Sequence, residues 1–267
     1  MGKQAAGAEL HLDLGTTEDY YGIPGNVVDE DQPLLPLSFG VDGEDNGDES
    51  DRGPVFVPAD AAIEGGSSAD PDPDEGDRHV IAVRRGTCDL IELYAAERVR
   101  DASGTVVGWG AASAARWDLS SNRLRQAGWT SADAAGLPIL PGLLDYEEAG
   151  SGAITHALRF TLPSALRLHL AGPALRAVGQ HRPRPAGLRP ALRLKKSFPT
   201  SRYTGAARAM VVAMKRYGLV SADQGSAMYV TGTADPRWAD ALEEFREHPL
   251  DGGSLEVVKP WRRVVRC

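Results

Sequence analysis

The sequence predicts a mainly β fold, such as a β-sandwich, jelly-roll or barrel, with one or two helices packed on it; an α+β fold is the alternative. Short apolar runs that alternate or end at turn residues outnumber helical patterns, and strands and helices do not alternate regularly. The chain has 267 residues and is 42% hydrophobic, which is enough to bury a core without disulfides or a structural metal.

Composition divides the chain into three parts. Residues 1–76 are rich in Pro, Gly, Asp and Glu and predict an extended, mostly irregular arm that wraps the domain. The tip of this arm, at 42–51, is expected to be solvated or disordered. Residues 77–250 predict a β-rich globular domain, and residues 251–267 a C-terminal tail.

Charge is unevenly distributed along the chain. The first eighty residues hold twenty acids and three bases, whereas residues 149–222 hold thirteen Lys or Arg, three His and no acid. The net charge of −8 is therefore the sum of −17 for the first eighty residues and +9 for the rest. This split predicts that the acidic arm covers a basic face of the sheet, and binding of an anionic ligand is the alternative.

Alternation and capping residues predict the elements of the second half. Residues 153–162 alternate as a strand, and residues 192–195 as another that points Arg193 and Lys195 outward. A helix is predicted from the N-cap Thr204 to Gly218, with its methionines in the core. A hairpin about 224–225 and a final helix at 236–248 follow.

A tight hairpin is predicted where two apolar runs flank Arg85 and Gly86. A two-residue turn at these positions would pair His79 with Glu92 at the end of an apolar stripe. A carboxylate beside an imidazole raises the imidazole pKa and fixes its tautomer, as a general base or a metal-binding histidine requires. A structural ion pair is the alternative.

His156 is a second candidate, because alternation places it on the apolar face of its strand. A core histidine is the alternative. If His156 converges with His79 and Glu92, the three side chains could hold a metal ion. Without that convergence the sequence predicts neither a metal nor another cofactor.

A dense polar cluster lies at residues 128–133, ahead of small and proline-constrained residues. Trp129 could stack on a sugar ring while Asp133 hydrogen-bonds its hydroxyls, with Thr130 and Ser131 beside them. A turn stabilised by these polar side chains is the alternative.

Several classes of protein are not favoured. The longest apolar stretch, AAGLPILPGLL, is short and broken by Gly and Pro, so no membrane span is predicted. The two cysteines, Cys88 and Cys267, allow one disulfide but do not imply it. Nucleotide-binding and metalloprotease motifs are absent, and the basic region has few aromatic residues, so nucleic-acid binding is not favoured.

Seven ordered segments span much of the chain: GDRHVIAV (76–83), CDLIELY (88–94), GWTSADAAGLPILPGL (128–143), HALRFT (156–161), RLKKSF (193–198), KRYGLVSADQGS (215–226) and DPRW (235–238). Together they resemble an uncharacterised family of exported bacterial proteins. The resemblance implies a secreted or cell-surface protein whose leader is absent from this chain, with a cytoplasmic location as the alternative. It implies no activity.

The resemblance also bears on individual residues. Those that match the family's pattern are His79, Glu92, Asp133, His156 and Lys195. Arg176 stands where a third histidine is expected, and Gln224 stands where the pattern resembles Asn. If the histidines of that pattern form a three-histidine metal site, this chain either has lost that site or uses Arg176 for an anionic ligand.

These observations favour an exported protein that binds or cleaves polysaccharide, in one form a glycoside hydrolase-like enzyme using His79, Glu92 and Asp133. Other substrate contacts are expected from Trp129, Thr130, Ser131, His156, Arg176 and Lys195. The alternative is a non-catalytic surface module that binds an anionic polymer through its basic strands. The sequence leaves open whether the protein is an enzyme.

Overall fold

The computed structural model describes residues 7–15, 22–65, 70–72, 76–126, 128–163, 191–226 and 228–258. The strands in these ranges are β1 (His11–Asp13), β2 (Gly25–Val28), β3 (Leu37–Phe39), β4 (Val80–Arg84), β5 (Asp89–Tyr94), β6 (Glu97–Arg100), β7 (Val106–Ala111), β8 (Ser113–Asp118), β9 (Leu158–Leu162), β10 (Ala191–Leu194), β11 (Leu219–Gln224), β12 (Tyr229–Thr231) and β13 (Leu255–Val258). The helices are α1 (Tyr146–Ser151), α2 (Gly205–Arg216) and α3 (Ala239–Glu247). The prediction of a mainly β fold with few helices is confirmed.

The described strands form three sheets, none of which closes into a barrel. The chain divides into two compact units. The N-terminal unit, residues 22–140, holds a four-stranded sheet of order β2-β4-β5-β8 and a three-stranded sheet of order β3-β7-β6. The C-terminal unit, residues 7–15 and 141–258, holds a six-stranded sheet of order β1-β12-β9-β11-β10-β13. The boundary between the units lies inside the predicted domain 77–250.

The two sheets of the N-terminal unit share one apolar core. Val80 and Ile91 contribute from the four-stranded sheet, and Trp109 and Ala111 contribute from the three-stranded sheet. All four side chains are fully buried. Packing of two sheets through a common apolar layer is the arrangement of a β-sandwich.

Residues 22–65 of the predicted arm supply two strands and part of this core. β2 pairs in parallel with β4, β3 pairs in parallel with β7, and Val55, Phe56 and Val57 are buried in the shared core. The arm tip is exposed at 42–45, but Ser50 is buried and its Oγ accepts the Ala114 N–H at 3.1 Å. The apolar pieces of this segment are too short to show a strand period in the sequence.

Helix α2 packs on the six-stranded sheet through the predicted methionine stripe. Met210 and Met214 are fully buried among the core residues of the C-terminal unit, which confirms their assignment to the core. Thr204 occupies the N-cap position. After the helix, Gly218 has a φ of +85°, and a Cβ there would lie 2.5 Å from the Leu192 carbonyl oxygen, so glycine is required.

Two strand predictions in the C-terminal unit are wrong. The hairpin about residues 224–225 does not form, because β11 pairs in parallel and β12 antiparallel with β9, which lies between them. The strand predicted at 153–162 begins only at Leu158. In that strand Arg159, which alternation places outward, is 5% exposed and lies 3.6 Å from the Asp223 carboxylate.

Other predictions in this unit hold. Leu192 and Leu194 of β10 are buried while Lys195 is exposed, and the final helix forms as a 3-10 turn followed by α3. In contrast, part of the segment predicted as a C-terminal tail forms β13, which pairs with β10. No helix in the described ranges combines the length and apolarity needed to cross a membrane.

Candidate functional site

One face of the four-stranded sheet carries buried polar side chains. Glu92 lies opposite Ile81 and points away from the core residue Ile91. His79 directly precedes β4, and Ser113 begins β8. His79, Glu92 and Ser113 are each at most 2% exposed. Because buried polar groups are almost always hydrogen-bonded, the partners of these three side chains define the candidate site.

The predicted cross-strand opposition of His79 and Glu92 is wrong. Four residues rather than two join β4 to β5, and the pairing register places Ile81 opposite Glu92. Gly86, with a φ of +80°, lies inside this turn. The turn is two residues longer than predicted. Because side chains alternate with a period of two, His79 and Glu92 keep the predicted face of the sheet, and only the residue opposite Glu92 changes.

A loop at residues 128–140, which we call the site loop, is hydrogen-bonded to this polar face. His79 contacts it through Nε2, which lies 3.0 Å from the Ala132 carbonyl oxygen. The other ring nitrogen, Nδ1, lies 2.6 Å from Oε2 of Glu64. The same Glu64 oxygen accepts the backbone N–H of His79 at 3.1 Å. The carboxylate partner of His79 is thus a residue of the predicted arm.

Glu92 binds the other end of the site loop. Its Oε1 accepts the backbone N–H groups of Ile139 at 2.8 Å and Leu140 at 2.9 Å. Its Oε2 accepts the indole N–H of Trp117 at 3.0 Å. Three hydrogen-bond donors to a fully buried carboxylate stabilise its ionised form.

The middle of the site loop is held by serines and by its own polar side chains. The Ser113 hydroxyl donates to the Ser131 carbonyl at 2.8 Å, and the Ser131 hydroxyl donates to the Leu137 carbonyl at 2.6 Å. Asp133 is 1% exposed, and its Oδ1 accepts the Ala135 N–H at 2.7 Å. Ser131 and Asp133 therefore form the side-chain-stabilised turn that was the alternative to a sugar contact.

The first residues of the site loop are more accessible. Trp129 and Thr130 are half-buried. The guanidinium of Arg125 lies 5.5 Å from the Trp129 ring centroid and 5.9 Å from that of Trp117. The Thr130 N–H donates to Oε2 of Glu49 at 2.9 Å. Arg125 thus packs beside the Trp129 indole, and Glu49 binds the backbone of the residue that follows it.

His156 lies in the C-terminal unit, before β9 rather than on it. Its Nε2 is 2.8 Å from Oε2 of Glu148, and its Nδ1 is 3.0 Å from the Ala157 carbonyl oxygen. Both ring nitrogens of His156 therefore face oxygen atoms, as those of His79 do. A metal ion held by His79, Glu92 and His156 stays a prediction.

The basic candidates do not form a separate anion site in the described part of the chain. Lys195 is exposed, and its ammonium group donates to the Gly253 carbonyl. Arg193 donates to Glu256 on the neighbouring strand β13, with Nη2 2.6 Å from Oε1. Arg176 lies outside the described residues.

Acidic residues of the first eighty pair with bases of the N-terminal unit. These pairs are Asp29 with Arg85, Asp42 with Arg78, Asp48 with Arg52, Asp51 with Arg125, Glu64 with His79, and Asp70 with both Arg98 and Arg100. All these bases precede the acid-free stretch at 149–222. In these pairs the six acids therefore contact bases of their own unit.

Sequence reasoning missed three residues of the site. Glu64 lies in the segment predicted to be an irregular arm. That segment has no periodic pattern from which the position of the Glu64 side chain could be inferred. Ser113 and Trp117 alternate on β8 with the buried Ala114, so a strand assignment for 113–118 could have placed both on the polar face. The predicted residues that the structure does bring together through the site loop are His79, Glu92, Ser131 and Asp133.

The ionisable side chains of His79 and Glu92 anchor the site loop, and the half-buried Trp129 lies at its start. No family model matches the chain, and no curated protein and no solved structure matches it. The resemblance to exported bacterial proteins therefore stays an expectation.

Proposed function

We propose that the chain binds polysaccharide, with Trp129 as the stacking platform at the start of the site loop. The observation that supports this function is the half-buried Trp129 indole, which lies beside Arg125 at the start of a loop whose Ser131 and Asp133 side chains are buried. Binding sites commonly combine an aromatic surface with a few fixed polar groups. Thr130, also half-buried, is the adjacent polar contact in this proposal.

Rigidity of the site loop supports the same function. Side chains on or next to the four-stranded sheet hold the loop at Ala132, Ser131 and Leu140, and Gly136 folds it back on itself. Gly136 has a φ of +63°, and a Cβ there would lie 2.5 Å from the Trp129 carbonyl oxygen. A platform that is already ordered loses little conformational entropy when a ligand binds, which favours affinity.

The roles of His79 and Glu92 change in this proposal. One ring nitrogen of His79 and one carboxylate oxygen of Glu92 bind the loop backbone, so in this proposal the two side chains position the loop instead of acting as acid and base on the sugar. Asp133 is the remaining catalytic candidate, and cleavage remains the alternative outcome. Export to the cell surface is part of the proposal and rests on the motif resemblance.

A glycan-binding experiment tests this function. The full chain is titrated with a panel of neutral and uronic-acid polysaccharides, and the release of reducing ends is followed in the same samples. We expect Trp129→Ala to weaken binding about tenfold or more, because loss of a central aromatic contact is worth at least 1.4 kcal/mol. Leu124→Ala, at a 58% exposed apolar position, is the control and should bind normally.

Two results would contradict the proposal. One is the absence of binding to every glycan of the panel. The other is binding restricted to anionic polymers that survives Trp129→Ala and is lost in Lys195→Gln, which would support the basic-strand module instead.

A further inference from the structure

The His79 ring lies between two groups that only accept hydrogen bonds. Nδ1 faces the Glu64 carboxylate at 2.6 Å, and Nε2 faces the Ala132 carbonyl at 3.0 Å. With the Glu64 carboxylate ionised, both neighbours can only accept, and a neutral imidazole has one N–H, so both bonds form only when both nitrogens carry a proton. Oε2 of Glu64 also accepts the backbone N–H of His79. This one oxygen is therefore the acceptor for both the ring and the backbone of His79.

A second carboxylate close to His79 in the N-terminal unit, that of Asp77, favours the same state, whereas the preceding Arg78 is paired with Asp42. An oxygen of Asp77 lies within 4.8 Å of a His79 ring nitrogen. The Tyr94 ring centroid is 5.7 Å from the imidazole centroid. Asp133 follows Ala132 in the site loop and accepts a backbone N–H. Carboxylates close to an imidazole stabilise its cationic form.

Loss of one proton would affect the two bonds of the ring differently. A hydrogen bond to an ionised acceptor is roughly twice as strong as one between neutral groups, so the remaining proton stays on Nδ1, facing Glu64. The lone pair of Nε2 then faces the lone pairs of the Ala132 carbonyl oxygen. The loop loses its attachment at Ala132, while Glu92 still holds Ile139 and Leu140.

We propose that Glu64 is a positioning residue that keeps His79 doubly protonated and thereby fastens the site loop at Ala132. The loop is then attached in a pH-dependent way at one end and through the Glu92 carboxylate at the other. Only the consequence for a ligand, a polysaccharide held at Trp129, rests on the function proposed above. The attachment itself is a property of the ligand-free chain.

The experiment follows His79 and the loop in the full chain without ligand. Imidazole nitrogen spectra are recorded across pH, with His79→Gln assigning the signal, and amide protection factors are measured in the site loop. We expect both ring nitrogens to be protonated at neutral pH. Protection of the Ser131 and Gly136 amides should fall at the pH where His79 loses a proton, while that of the Leu140 amide stays high.

Glu64→Gln is the decisive variant. It should move the midpoint of both pH profiles to lower pH by about one unit or more, because the nearest negative charge is gone. Glu64→Asp, which keeps the charge, should restore most of that shift. Glu148→Gln, which removes the carboxylate beside His156, is the matched control and should leave the profile of His79 unchanged.

Two outcomes would overturn this inference. One is a wild-type His79 ring with a single proton at neutral pH, a result that does not require any variant to fold. The other is an identical pH midpoint in Glu64→Gln. Failure of glycan binding with these pH profiles intact would remove the proposed function and leave the loop attachment standing.

Discussion

The two described histidines that were candidate site residues have the same hydrogen-bonding pattern in different surroundings. His79 and His156 each lie between a carboxylate and a backbone carbonyl. The side chains of His79 and Glu64 are 2% and 10% exposed, whereas those of His156 and Glu148 are 14% and 40% exposed. Water can replace the partners of His156 but not those of His79, so the same bonds should contribute unequally to stability.

The largest expected effect is the difference between His79→Ala and His156→Ala. Removing His79 leaves the Glu64 carboxylate and the Ala132 carbonyl buried without this donor, and should lower the free energy of unfolding by about 3 kcal/mol. Removing His156 exposes Glu148 further to water and should lower it by less than about 1 kcal/mol. Urea unfolding of both variants measures the difference. Equal losses of unfolding free energy in the two variants would contradict the expected difference between a buried and a partly exposed histidine.

A smaller loss is expected for Glu92→Gln, which tests a buried carboxylate without an imidazole. The amide group of glutamine would turn a donor toward either the Trp117 indole or the Ile139 and Leu140 N–H groups. The unfolding free energy should fall by about 2 kcal/mol, as expected for a buried unsatisfied donor. Glu97→Gln, at an exposed position of β6, is the control and should change it by less than about 0.5 kcal/mol. A loss as small as that of the control would contradict the assignment.

The smallest effect is expected for Tyr203→Phe, which tests burial in the C-terminal unit. The buried Tyr203 hydroxyl donates to the His248 carbonyl at 2.6 Å, and its loss should lower the unfolding free energy by about 1 kcal/mol. Burial raises the pKa of Tyr203 above its ordinary value of 10.0. The neutral hydroxyl therefore stabilises the fold fully below that pH, and this stability is lost as pH rises through the higher folded pKa.

Unfolding free energies of wild type and Tyr203→Phe, measured across pH, check this sign. The difference between the two proteins should shrink above about pH 10, since only the wild type has the phenol. A difference that stays constant into strongly alkaline pH would show that the hydroxyl is not desolvated. In that case the stability loss in Tyr203→Phe would not come from burial of the hydroxyl.

The parts of the fold that the sequence predicted correctly depend on local pattern. Helix α2 has Thr204 at its N-cap position, without a side-chain capping hydrogen bond, its core stripe at Met210 and Met214, and its stop at Gly218, all within one stretch of chain. Leu192 and Leu194 alternate with polar residues on β10 in the same local way. Such signals need no knowledge of the neighbouring strand.

The predictions that failed depend on contacts distant in sequence. β11 is followed by turn residues and then β12, yet both pair with β9, and no local signal indicates this order. The site shows the same limit. Polar residues of the loop and hairpin were identified from their types, but the carboxylate that binds His79 is fifteen residues away, in a segment without periodicity.

The parallel pairing of β1 with β12 has a consequence for the order of folding. Leu12 pairs with Val230, so the C-terminal unit joins two chain segments separated by the whole N-terminal unit. During synthesis, residues 22–140 emerge as one continuous piece long before β12 exists. We expect the N-terminal unit to fold first and β1 to dock late, because closing so long a loop delays that contact. A chain released before β12 is made would carry a finished sandwich and an unpaired first strand.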